Sequence, residues 1–131
     1  MKIEVANGEV VDKITILRIK ESKIKDEVKL KNIKNELHEL LPNMKEMGLT
    51  ESSEHYKKLM DINIKLWNVE DHLRDKERLD EFDEDFIDLA RSVYHLNDER
   101  STIKKDINIM TNSYIVEEKS YREYSENSST R

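Results

Sequence analysis

Between Arg91 and Asn108, polar side chains recur at intervals of three and four: Arg91, Tyr94, Asn97, Asp98, Arg100, Lys104 and Asn108. Such spacing puts them on one side of an α-helix, beside an apolar line formed by Phe86, Leu89, Ala90, Val93, Leu96, Ile103, Ile107 and Met110. Arginine and asparagine so close to a buried face need partners, because an unpaired buried charge is strongly unfavourable. One solution is an internal network with Glu70, Asp71 or Glu77 on a preceding helix. The other is an anion held in a pocket, since guanidinium offers a planar fork matched to carboxylate or phosphate. The later run Glu117-Glu118-Lys119-Ser120-Tyr121 either closes over that pocket as a loop or belongs to an exposed tail. The candidate ligand-binding set is therefore Arg91, Tyr94, Asn97, Arg100, Lys104, Asn108, Lys119 and Tyr121.

Other chemistry finds little support. The chain lacks a Gly-rich phosphate loop, a Gly-flanked serine elbow and a His-Glu-x-x-His motif. With no cysteine, it has neither thiolate ligand nor thiol nucleophile, and a reducing compartment suits it. Its four histidines, His38, His55, His72 and His95, lack metal-ligand spacing, so His95 beside Asp98 reads as a surface residue meeting its neighbours. Catalytic residues, metals and cofactors are thus not expected. The only tryptophan, Trp67, stands beside Glu70 and Asp71 within an apolar stripe, which favours the core over stacking on a ligand.

The elements that must carry these residues are helices. Of the 131 residues only two are glycine and one is proline, too few turn formers for a sheet of short hairpins. Val10, Ile14, Leu17, Ile24 and Val28 define a first stripe, with Asn7 as the expected N-cap. The basic line Lys13, Lys20 and Lys23 reads as solvated surface, while Asp12, Thr15 and Ile19 flank the stripe where half-burial is open to them. A phase slip at Lys25-Asp26-Glu27 means either a kink or a tight hairpin capped by Asp26, before Ile33, Leu37, Leu40 and Met44 resume the pattern. Pro42 is expected to weaken or end that helix. After a loop at 48–53, with Ser52 or Ser53 as cap, a broad stripe runs from Tyr56 through Leu66, Trp67 and Leu73 to about Leu79. Asp83 caps the last helix, which Thr111-Asn112-Ser113 stops. The expectation is an all-α, antiparallel three- or four-helix bundle of long helices. Lys2–Val5 and Tyr114–Val116 could add a minor two-stranded pairing. Residues 1–124 form a single helical domain on this reading, and 125–131 a disordered polar tail.

Composition bounds the partners. Charged residues make up 40% of the chain and hydrophobic residues 36%, so the apolar ones are concentrated in stripes. A net charge of −6 disfavours a nucleic-acid polymer. The charge is uneven: from Val11 to Lys34 eight bases face four acids, whereas from Glu51 onward thirteen bases face twenty acids. Mutually attractive helices or a solvated face explain that asymmetry best. No apolar stretch approaches the roughly 20 residues needed to cross a bilayer, and the first residues lack a signal peptide's apolar region. A cytoplasmic protein of a bacterial host cell is expected. Long stripes with few apolar residues also suggest a homo-oligomer, in which a second copy covers part of the surface.

Several of these residues recur as a set: Asn7-Gly8-Glu9, Asp12-Lys13, Thr15-Ile16-Leu17, Leu66-Trp67, Glu70-Asp71, Arg74, Glu77, Phe82-Asp83, Leu89-Ala90-Arg91, Tyr94, Asn97-Asp98, Arg100 and Glu117-Glu118-Lys119-Ser120-Tyr121. In this the chain resembles the bacterial and phage family named domain of unknown function 6165, from Met1 to about Tyr124. The resemblance implies a bacterial or phage origin and a shared polar pattern, but no activity. The functional expectation is a non-catalytic, oligomeric binding protein. It holds a small anionic, nucleotide-like ligand in a helix-lined Arg/Lys/Tyr/Asn pocket, as would suit a phage protein that sequesters a signalling nucleotide. The alternatives are a small helical enzyme similar in outline to chorismate mutases, whose first-helix arginine pattern this chain lacks, and a helical adaptor for a partner protein.

Overall fold

The periodicities resolve into four helices in a computed structural model, which describes residues 1–124: α1 (Asn7–Lys23), α2 (Glu27–Glu46), α3 (Glu54–Arg78) and α4 (Glu84–Met110). The phase slip at residues 24–26 is a hairpin turn and not a kink. Asp26 ends it as the N-cap of α2, its carboxylate accepting hydrogen bonds from the N–H groups of Val28 and Lys29. Asp83 does the same for α4 through the N–H of Phe86. Its carboxyl is held below the usual range by Lys76, with help from that N–H.

α1 is the centre of the bundle, packing against each of the other three helices. Val11, Ile14, Leu59 and Ile107 are fully buried, and Leu17, Ile33, Leu37, Met44, Leu49 and Tyr56 close the core around them. The first stripe stops short of expectation, for Val28 is exposed at the start of α2. Pro42 does not end α2, which continues to Glu46. The extra turn carries Met44 into the core, and that burial outweighs the lost backbone hydrogen bond. Gly48, at φ +80°, then reverses the chain.

The start of α1 is held by the end of α4. Ala6, not Asn7, is the N-cap, and it offers no side-chain cap. The orphan N–H groups find acceptors 106 and 100 residues away: that of Asn7 donates to Ser113 Oγ at 2.9 Å and that of Gly8 to Asn108 Oδ1 at 2.6 Å. The Asn7 side chain donates to Thr111 Oγ1 at 2.9 Å. Ser113 in turn donates to the carbonyl of Ile115, and the chain beyond it runs back along α4. Lys2–Val5 therefore stay exposed without pairing to Tyr114–Val116, and no strand occurs among the described residues. The expected tail at 125–131 lies outside the described residues.

α3 and α4, of 25 and 27 residues, span about 37 and 40 Å at 1.5 Å per residue, while the 17 residues of α1 reach only about 25 Å. The far halves of α3 and α4 consequently project as a two-helix arm. From Trp67 to Asp106 no residue is fully buried, although Leu73, Phe86, Leu89 and Val93 are half-buried where the two helices meet. No helix among the described residues is long and apolar enough to cross a membrane.

The two glycines make a test of this packing. A Cβ on Gly8 would lie 2.3 Å from the backbone oxygen of Lys104, whereas one on Gly48 would meet nothing within 4 Å. Gly48→Ala should cost about 1 kcal/mol, from its left-handed backbone alone. Gly8→Ala must force α1 from α4 and should cost about 3 kcal/mol or more. Urea unfolding of the two variants ranks them, and equal losses would contradict the close approach.

Candidate functional site

A polar network lies inside the bundle where three helices meet. Asp12 on α1 is 1% exposed, Thr15 is fully buried and Asn63 on α3 is 5% exposed. Arg100 on α4 grips the Asp12 carboxylate with two donors, Nε at 2.9 Å to Oδ1 and Nη2 to Oδ2. Asn63 Nδ2 donates to the same Oδ1 at 2.9 Å and to Thr15 Oγ1 at 2.8 Å, and the Thr15 hydroxyl donates to the Asp12 carbonyl. Every buried side-chain nitrogen and oxygen among the described residues is satisfied. The hydrogen bond to Asp12 holds the Arg100 guanidinium above its ordinary pKa. The internal partner of Arg100 is therefore Asp12 on the first helix. Of the acids expected in that role, Glu70 pairs with Arg74 one turn away.

Arg100 also forms part of the wall of a cleft of about 430 Å³ between α4 and the returning segment 114–124. Tyr94, Asn97, Lys104, Lys119 and Tyr121 line it with Arg100, so six of the eight residues picked from the sequence meet there. The segment is fastened at both ends. Lys105 pairs with Glu118 at 2.8 Å, and Tyr124 packs against Tyr94 and His95 with its hydroxyl 3.1 Å from His95 Nδ1. Lys119 and Tyr121 accordingly sit over the cleft and not on a free tail.

The two remaining residues have other roles. Asn108 is 2% exposed and accepts the Gly8 N–H, so it is a cap for α1. Arg91 lies exposed outside the cleft, its Nε 3.4 Å from the Tyr94 hydroxyl. Asn63 escaped the sequence reading altogether, and three residues of α1 were read as less deeply placed than they are. Asp12, Thr15 and Ile19 are buried, not half-buried. The signal was present in Val11, which widens the apolar arc of α1 toward them.

The cations of the cleft are each met by a carboxylate of the chain. The cleft lining carries three cations, Arg100, Lys104 and Lys119, against one carboxylate, Asp98. Asp12 neutralises the first, and Glu9 lies 2.7 Å from Lys104 Nζ. Lys119 is paired with Glu117, which borders an adjoining hollow with Lys104. The Glu117 carboxyl is held below the ordinary carboxylate range, chiefly by its hydrogen bond from Lys119 and further by the charges of Lys104 and Arg100.

The family model described as family of unknown function (DUF6165) matches residues 1–130, and the chain belongs to that family. No curated protein and no solved structure matches it.

Removal of Arg100 should expose how the network is balanced. Arg100→Ala strands the Asp12 charge in the core, and urea unfolding should show a loss of about 3–5 kcal/mol. A loss under about 1 kcal/mol is the range of an exposed ion pair and would deny the network its structural role. Adding Asp12→Leu to Arg100→Met should recover much of the stability, because no charge is then left buried.

Proposed function

We propose that this chain is a non-catalytic binding protein that holds a small, anionic, nucleotide-like ligand in the cleft between α4 and segment 114–124. The observation that carries the reading is the position of Glu117, a carboxylate of the chain itself that pairs with Lys119 and shares a hollow with Lys104. A carboxylate or phosphate on a ligand would take over the place of Glu117 on Lys119 and share Lys104. Tyr94 and Tyr121 offer ring faces for a base, and Asn97 hydrogen bonds for its edge. Arg100 acts as a fixed polar wall, because its strongest donors stay on Asp12. A protein of this kind withdraws its ligand from solution and does not transform it.

Thermal shift and titration calorimetry with AMP, ATP and inorganic phosphate test the reading. A nucleotide should raise the melting temperature, with phosphate weaker because it has nothing to stack. Lys119→Ala should weaken nucleotide binding by about 1.5–3 kcal/mol, the scale of a hydrogen bond to a charged group. Glu117→Gln should tighten it, since the internal competitor loses its charge. No shift with any of the three probes at millimolar concentration, or weaker binding in Glu117→Gln, would overturn the proposal.

Association of two or more copies belongs to the same reading. Leu79, Phe82 and Ile87 on the α3–α4 arm are exposed at 60%, 56% and 53%, more apolar surface than a thin arm needs. Sedimentation equilibrium in the micromolar range should give an oligomer, and a monomer would remove this part.

A further inference from the structure

A second cleft, of about 440 Å³, opens on another side of Arg100, between α1, α3 and α4. Its main wall is one face of α3, where Trp67, Glu70, Asp71 and Arg74 follow at intervals of three, one and three and so point the same way. The buried Asn63 and the Asp12-bound Arg100 form its polar floor, and Asn97 closes the side toward the anion cleft.

Three features define what fits. Trp67 is half-buried rather than sunk in the core, and its lining position gives the cleft one large apolar surface. Asp12 neutralises Arg100 and Arg74 pairs with Glu70, so Asp71 is the one lining charge left over and the cleft disfavours an anion. Polar groups are nonetheless dense. Glu70 is engaged by Arg74 Nη1 at 2.8 Å, while Asp71 has no partner among the described residues.

A neutral ring with one apolar face and a rim of hydroxyls matches all three. We infer that this cleft binds a neutral sugar ring, its C–H face stacked on Trp67 and its hydroxyls read by Asp71, Glu70, Arg74 and Asn97. A hydroxyl both donates and accepts, so it suits a lining that mixes carboxylate acceptors with guanidinium and amide donors. Asn63 and Arg100 lend precision, since the buried network fixes both from below.

Trp67 is the chain's only tryptophan, so its fluorescence reports on the surroundings of this one side chain. Because Trp67 also borders a hollow beside Arg18 and Met60, the Asp71 variant assigns the response to this cleft. Titration of the full chain with glucose, galactose, mannose and N-acetylglucosamine should give a saturable change with at least one of them. Asp71→Ala should weaken that sugar about tenfold, which is roughly 1.4 kcal/mol, and the exposed position of Asp71 spares the fold. Lys119→Ala, in the other cleft, should leave sugar binding unchanged, which separates this site from the anion site. Glucose 6-phosphate should bind more weakly than glucose. A flat response to all four sugars, tighter binding of the phosphate ester, or a response that survives both Asp71→Ala and Arg74→Ala would overturn the inference.

Discussion

A carboxylate removed from water must be met by donors, and Asp12 draws them from two other helices. Arg100 of α4 supplies a two-pronged grip and Asn63 of α3 a third hydrogen bond, so one buried charge fixes the relative positions of α1, α3 and α4. Apolar packing would tolerate small slides of these helices along one another, because hydrophobic contact has no direction. The Asp12 network does not. Its donors must arrive within hydrogen-bonding distance from fixed rotamers, and Thr15 completes it by bridging Asn63 to the Asp12 carbonyl.

The same register is enforced a turn or two away, where α1 begins. Gly8 lets the two backbones touch, and Asn108, Thr111 and Ser113 satisfy α1 groups that its own N-cap leaves open. The negative end of the α4 dipole thereby faces the positive end of α1. Glu9 and Lys104 add an ion pair beside it. Interior network and capping contacts together tie α1 to α4, and α4 gives a wall to both clefts.

The clefts differ because α4 has two flanks. On one side the returning C-terminal segment brings Lys119 beside Lys104, and each lysine is met by a carboxylate of the chain, Glu117 for the first and Glu9 for the second. On the other, the face of α3 that carries Trp67 also carries Glu70 and Asp71 with only Arg74 to meet them, so no positive charge collects there. Arg100 and Asn97 stand between the two. Arg100 can serve as a wall for both because Asp12 balances its charge and fixes its orientation, leaving it neither a free cation for one cleft nor a loose side chain in the other.

Local rules in the sequence determined the helices. Periodicity fixed four apolar stripes, Asp26 and Asp83 cap as short polar residues before such stripes must, and the stop after Met110 follows from Thr111-Asn112-Ser113. The polar stripe of α4 with Lys119 and Tyr121 also revealed most of one cleft, since helical spacing aligns residues whatever they face. Which partner each residue takes is a long-range matter. Asp12 lies 88 positions from Arg100 and Asn108 lies 100 from Gly8, separations across which spacing along the chain carries no distance information. For that reason Arg100 looked like a ligand-binding group or a partner of α3, and Asn108 like a member of the pocket. Pro42 likewise reads as a helix end from local geometry and is overruled by the burial of Met44. Only the packing of α1 against three helices at once turns a flank aspartate into the anchor of the fold, because burial is a property of the assembled bundle and not of the helix that carries the residue.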